Sequence, residues 1–335
     1  MDIYNLIKQF NKIKSARLKL FAIFIMYIAK RRFLSLYVDP VVACNLKCKM
    51  CYFSSEQNHI EKGRLDLNEF SLFAKSILHR VMKVQIGCGA EPTLYSHLVE
   101  LVKISKSMNV PYVSLTTNGN ILKAETLHSM VKSGLNEITI SSHGIKRETY
   151  ENLMQKASYD SFLNLLSVLR DIKRVFPNFI IRLNYTVNED NVEELVDLPK
   201  LFKGLNLNII QIRPVQDLGD SLYKNFSMKK ILENYDSIFP MLQSYCEDNN
   251  IKFLYPSKDN LININKKSNN NAFLDFVHVY VRPSLFWRED YDYHNKSFEQ
   301  YSYHVNFGLS ILKNIIYINN SHKKYITNPL NYHVK

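Results

Sequence analysis

Three of the chain's five cysteines lie within eight residues, in CNLKCKMC at 44–51. Thiolates are soft ligands suited to iron and zinc, so this spacing points to a metal. A structural zinc site takes four ligands, usually two Cys pairs or Cys with His. No second CxxC exists, Cys88 and Cys246 stand alone, and no His has a finger-like spacing from them. Zinc would therefore need a distant fourth ligand. A four-iron cluster has four corners, and three thiolates on one loop can hold three irons and leave the fourth to an exogenous ligand. An odd number of cysteines with three crowded together is no secreted disulfide framework and fits a reducing cytosol.

The elements that must position this loop are legible as a regular beat. Across 335 residues, 46% apolar and 22% charged, short apolar runs alternate with amphipathic stretches from about residue 34 to 255. Strands are expected at 33–41, 81–87, 111–117, 136–142, 179–187 and 207–213, with helical patterns between them. Strict alternation implies parallel strands joined by right-handed crossovers. The expected fold is α/β, a partial (β/α)6 TIM-like barrel over 33–255, with an N-terminal helix in 1–32 and a C-terminal extension over 256–335.

In such folds chemistry sits at the carboxyl ends of the strands. CNLKCKMC follows the first strand, GCGAEPT (87–93) the second, TTNGN (116–120) the third, SSHG (141–144) the fourth and RPVQ (213–216) the sixth. Gly87, Gly89 and Gly119 are among the glycines on this rim, where glycine admits a closely approaching ligand or serves a turn. The strand FIIRLNYTV sets Arg182, Asn184 and Thr186 on one face against Ile181, Leu183, Tyr185 and Val187 on the other. With helices outside, the polar face lines the interior, as a cavity for a polar ligand or as a hydrated, ion-paired core.

Net charge is +12, but it is unevenly spread. Residues 1–32 hold eight cationic side chains against Asp2 alone, which argues against a general nucleic-acid surface. LFAIFIMYIA (20–29) is too short to cross a bilayer and lacks a signal-peptide cleavage site. It is expected either to pack on the main domain or to lie at a membrane surface with its cations on anionic lipid. The extension opens with the Asn-rich DNLININKKSNNN and continues into an aromatic-dense segment containing Trp287, the only Trp. Its rings are expected to cap the open barrel as core, with a substrate lid of Trp287, Arg288, Tyr291 and Tyr293 as the alternative. Cys88 reads as a small buried residue rather than a redox thiol.

Cys44, Cys48 and Cys51 resemble the C-x3-C-x2-C loop of radical S-adenosylmethionine enzymes, in the form seen in the branch with molybdenum-cofactor and peptide-modifying members. The resemblance spans roughly residues 33–255. It implies a [4Fe-4S] cluster on these three cysteines with S-adenosyl-L-methionine on the open iron. GAEP at Gly89, Ala90, Glu91 and Pro92 is similar to the GGEP segment that receives the cosubstrate's ammonium, with Ala90 replacing the usual second Gly. TTNG, through Thr117, and Ser141 resemble further cosubstrate contacts, although His143 replaces a frequent Asp. Met50 matches a position whose backbone contacts adenine. Arg182 and Asn184 match a polar pair that faces cosubstrate or substrate.

The resemblance implies reductive cleavage of the cosubstrate to a 5′-deoxyadenosyl radical that abstracts hydrogen from a small metabolite, sugar, lipid headgroup or peptide. A cluster-binding protein without turnover and a structural zinc-binding module are the alternatives. A flavodoxin or ferredoxin is the expected reductant, and no nucleic acid is expected. The expected location is the cytoplasm, at the membrane surface if the basic helix meets lipid. No Cys follows Cys246, so the Cys-rich C-terminal domain of many peptide-modifying relatives cannot be built.

Overall fold

The computed structural model describes residue 13 and residues 15–55, 62–217, 221–263 and 273–317. Parts of the expected terminal segments, at 1–12, 14 and 318–335, and most of the Asn-rich stretch, at 264–272, lie outside the described residues.

Six parallel strands form in the expected places: β1 Leu34–Val38, β2 Val81–Ile86, β3 Tyr112–Thr117, β4 Glu137–Ser142, β5 Ile180–Val187 and β6 Ile209–Pro214. They pair in sequence order, β1 with β2 through β5 with β6. Burial follows the alternation in β5, where Ile181, Leu183, Tyr185 and Val187 are fully buried and Arg182, Asn184 and Thr186 only partly so. The apolar parity faces the helices, because only helical side chains there can replace water against Ile, Leu and Val. The polar parity turns inward.

The outer layer is built from α1 Ala16–Ile28, α2 Leu67–Ile77, α3 Leu98–Ser107, α4 Ala124–Lys132, α5 Arg147–Leu153, α6 Tyr159–Val175, α7 Tyr235–Asp248, α8 Phe298–His304 and α9 Phe307–Tyr317. Local chemistry sets several starts. Asp66 accepts from the Asn68 and Glu69 amides at α2, and Ser158 from Ser161 at α6. The fifth crossover differs from the continuous helix its pattern suggests. It is a 3-10 stretch, Val192–Asp197, followed by one α turn, Leu198–Leu201. Pro199 sits in the first turn of that piece, where its missing N–H costs nothing but would break a longer helix.

The C-terminal extension joins the same sheet. β7 Lys252–Leu254 pairs beyond β6. β8 His278–Arg282 runs parallel to β1, on the side away from β2, and β9 Leu285–Phe286 turns back against β8. The order is therefore β9-β8-β1-β2-β3-β4-β5-β6-β7, with β1 an interior strand. The aromatic segment packs as core. Trp287 stacks on Phe298 and meets Tyr291 and Tyr301 edge-on. Tyr291 donates to Ser76 Oγ at 2.9 Å, and Tyr293 to Glu69 Oε2 at 2.6 Å. These rings lie against α2, to which the Tyr291 and Tyr293 hydroxyls are bonded.

Candidate cluster and cosubstrate site

The cysteine loop leaves the carboxyl end of β1 and is braced on two sides. Lys47–Cys48 pairs antiparallel with Met154–Gln155, and the Lys49 carbonyl accepts from the Tyr223 amide at 2.8 Å. The Cys51 amide donates to Cys48 O at 3.0 Å and Ser54 Oγ to the same carbonyl at 2.6 Å. Cys44, Cys48 and Cys51 are free thiols, all partly buried. Burial pushes each upward, Cys44 to about 11, and neighbouring charge adds to it at Cys44, from Glu91 and Cys51, and at Cys48, from Cys51 and Cys44. Three such thiols ionise together only against compensating positive charge, as a bound metal supplies.

Among the described residues no group of three His, Cys, Asp or Glu side chains is placed to share one metal ion. A cluster gives each thiolate its own iron, so wider spacing suits it. Donors to sulfur are present as well. The Leu46 amide lies 3.4 Å from Cys44 Sγ, and Asn118 Nδ2 3.9 Å from it while bonding Asn45 Oδ1 at 2.9 Å. Asn118 lies within TTNG, and donors to ligand sulfur tune such centres.

The loop after β2 is organised by Asp39, which the sequence reading did not single out. Its buried carboxylate accepts from the Cys88 amide at 2.7 Å, the Gly89 amide at 3.1 Å and the Tyr280 hydroxyl of β8 at 2.7 Å. Burial nonetheless raises its pKa, against those hydrogen bonds. All peptides here are trans, so turning these N–H groups toward Asp39 turns the Cys88 carbonyl, and with the more distant Ala90 amide at 3.5 Å the Gly89 carbonyl, away from it. Gly87 has φ +84°, and a Cβ there would lie 2.3 Å from the Thr116 carbonyl.

Glu91 and Thr117 are both engaged in hydrogen bonds within the chain. Glu91 is 2% exposed. It accepts from the Thr93 amide and hydroxyl, at 3.1 and 2.6 Å, from Thr117 Oγ1 at 2.5 Å and from the Asn118 amide at 2.8 Å. Thr117 is committed to Glu91 and to the Gly119 amide. Strand alternation explains it: on β3 the inward parity holds Ser114 and Thr116, so Thr117 points outward. Together Glu91 and Thr117 tie the second strand-end loop to the third.

Ser141 and Asn184 lie side by side across β4 and β5, with Gln211 next in the row on β6. Asn184 Oδ1 is buried with no hydrogen-bond partner, as is His143 Nδ1. A buried acceptor left unpaired costs roughly 1–3 kcal/mol, and a bound donor removes that cost. Burial pushes His143 down to about 4, leaving it neutral. Arg182 is ion-paired to Glu137 at 3.0 Å and donates to Gln211 Oε1 at 3.1 Å, so it shapes the floor through those partners. Met50 is 6% exposed, and Asn188 Nδ2 donates to its sulfur at 3.1 Å. Ala90 lies partly exposed between Gly89 and Glu91. The thiol of Cys88 is partly buried and pushed well up by burial and Asp39, close to Lys83.

The model of the radical SAM superfamily matches residues 38–198. A probable GTP 3′,8-cyclase of Saccharolobus solfataricus is 30% identical over 196 residues, covering 58% of this chain and 61% of that protein. This chain thus spans less than two thirds of the length of that relative. The GTP 3′,8-cyclase of Aquifex aeolicus is 31% identical over 226 residues, 63% of this chain and 68% of its own. Streptococcus suis SuiB bound to S-adenosylmethionine shares the fold, with a TM-score of 0.59 at 15% identity over 75% of this chain and 59% of SuiB. The match to the Aquifex protein, more than two thirds of whose length is covered, agrees with the cysteine loop and its place after β1: this chain belongs to the radical SAM superfamily, whose cofactors are a [4Fe-4S] cluster and S-adenosylmethionine.

Proposed function

We propose that this chain is a radical SAM enzyme in which Cys44, Cys48 and Cys51 hold a [4Fe-4S] cluster and leave one iron to S-adenosylmethionine. When bound, the pair supplies one-electron cleavage of the C5′–S bond, giving methionine and a 5′-deoxyadenosyl radical that takes a hydrogen atom from the substrate. The observation that carries this reading is the braced loop of three partly buried free thiols at the mouth of a polar-lined sheet.

The chain's own residues then have distinct tasks. Asp39 holds the loop after β2 through the Gly89 and Ala90 amides, so that the Cys88 and Gly89 carbonyls face a cationic amine. Asn184 and Ser141 offer polar atoms one row below, the former with an unpaired acceptor. The backbone at Met50 borders the adenine, and the covering helices keep water from the reacting centre.

The interior sets Lys83, Arg182 and Arg213 against Glu137, and Arg213 is held below its ordinary value by burial and by Arg182. This surplus supports a substrate bearing phosphate or carboxylate; GTP, named in the relatives, is an anion of that kind. Lys47, exposed on the cysteine loop, supports an acidic reductant of the flavodoxin or ferredoxin type. The cytoplasm would supply both.

Anaerobic reconstitution tests the proposal. Four irons per chain and dithionite-dependent release of 5′-deoxyadenosine are expected, and Cys48→Ala should lose both. Undiminished release by that variant would sink the assignment. Cluster assembly without any cleavage would favour a binding protein, and zinc without iron a structural module.

A further inference from the structure

α1 and α9 pack side by side at the end of the sheet where β1 begins, opposite the cysteine loop. The Tyr27 ring lies 5.5 Å from Phe307 and 6.4 Å from Phe33, the residue before β1. The Tyr27 carbonyl accepts from Arg80, just before β2. Leu20 and Ile23 are buried, whereas Leu18, Phe21, Ile25 and Ile28, at i, i+3, i+7 and i+10, are 49–59% exposed. That spacing puts them on one stripe of the helix. α9 adds Leu309, Ile316 and Tyr317, at least half exposed. Seven of the fifteen large hydrophobics exposed among the described residues thus lie on one helix pair.

The sequence that carries these two helices is basic. Residues 3–38 hold eight Lys and Arg with no Asp or Glu, and residues 300–335 hold four with none. The other 31 cations match the chain's 31 carboxylates, so the whole net charge of +12 belongs to the two segments that contain these helices. An apolar stripe flanked by cations and free of carboxylates fits the interface of an anionic bilayer. α1, with 13 residues, is about 20 Å long, and no helix of the described residues is long and apolar enough to cross a membrane. An acidic redox protein on this face would sit at the wrong end of the sheet for the cysteines. A second copy, meeting like with like across a two-fold axis, would oppose two basic faces.

We propose that the α1–α9 pair is a docking surface for an anionic lipid bilayer, leaving the cysteine end pointed away from it. This goes beyond the enzymatic reading and stands without it.

Flotation of the full chain with phosphatidylcholine vesicles, with and without about one third phosphatidylglycerol, tests it. The chain should float with the anionic vesicles only, and less as salt rises. R17Q/R31Q/K313Q should weaken partitioning roughly a hundredfold, from about 1 kcal/mol per cation. F21D/I25D should abolish it. These side chains are exposed, so both variants should keep the wild-type melting temperature, measured alongside. Failure to float with anionic vesicles, equal flotation with neutral ones, or wild-type flotation of F21D/I25D would overturn the proposal. So would a dimer in sedimentation velocity that F21D/I25D dissolves, which would give the face to a second copy.

Discussion

Asp39 offers the sharpest test of how the cosubstrate loop is held. It is 2% exposed and receives two loop amides and the Tyr280 hydroxyl within 3.1 Å. Asp39→Ala leaves those donors without an acceptor. At roughly 1–3 kcal/mol for each buried unsatisfied amide, with Tyr280 free to rotate its proton elsewhere, the loss should be about 3 kcal/mol. Asp39→Asn keeps an oxygen for the amides. It gives up charge-assisted bonds, about 1 kcal/mol apiece, but also sheds the burial penalty that raises the native carboxyl, so its net cost should stay near 1 kcal/mol. Urea unfolding of the apoprotein, followed through Trp287, gives both numbers. Equilibrium dialysis of S-adenosylmethionine with reconstituted protein reads the loop itself. Asp39→Ala should bind at least ~10-fold more weakly, from the ~1.4 kcal/mol that one misdirected carbonyl represents, while iron per chain stays at the wild-type value. The reasoning fails if Asp39→Asn is as destabilising as Asp39→Ala, or if Asp39→Ala keeps full affinity.

Three further outcomes are expected. Gly87→Ala, which drives a Cβ against the Thr116 carbonyl at positive φ, should cost about 3 kcal/mol or more, read by urea unfolding. Asn118→Ala removes a donor near Cys44 Sγ and should make the cluster potential more negative by about 40 mV, the one-electron equivalent of ~1 kcal/mol, in a spectroscopic redox titration; an unchanged potential would deny Asn118 that role. Burial and the neighbouring Arg182 hold Lys83 down to about 8. Because an unfolded Lys titrates near ~10.4, the unfolded chain binds more protons between those values and stability should rise with pH across that window, by up to about 3 kcal/mol. Lys83→Met should flatten this rise and stabilise the protein at neutral pH.

The strands β1 to β6 were legible because each carries a strong β pattern with the parity a half-polar interior demands, as FIIRLNYTV does. The cysteines were legible because their spacing is local. Asp39 and Asn118 escaped because their partners lie far away in sequence, 49–51 and 241 residues for Asp39 and 73–74 for Asn118. The polar DP step after β1 was the available signal for Asp39. The bonds that Thr93 and Thr117 donate to Glu91 depend on side-chain rotamers that a sequence does not show. β8 is hard to see in the sequence because VHVYVR follows an Asn-rich run and leads into the aromatic segment, yet its alternation is that of a strand. The break of the fifth crossover was written in Pro199.

β8 also bears on how the protein is made. The hydroxyl that completes the Asp39 cluster belongs to a residue 241 positions after it, and β1 gains its second neighbour only when β8 arrives. At ~5–20 residues per second, a ribosome needs roughly 10–50 s to supply that strand after Asp39 has been added. During that interval the three thiols can already have emerged, one side of β1 lies bare, and the loop after β2 lacks its last tie. Iron delivered to the nascent chain before β8 is made would meet an unfinished mouth.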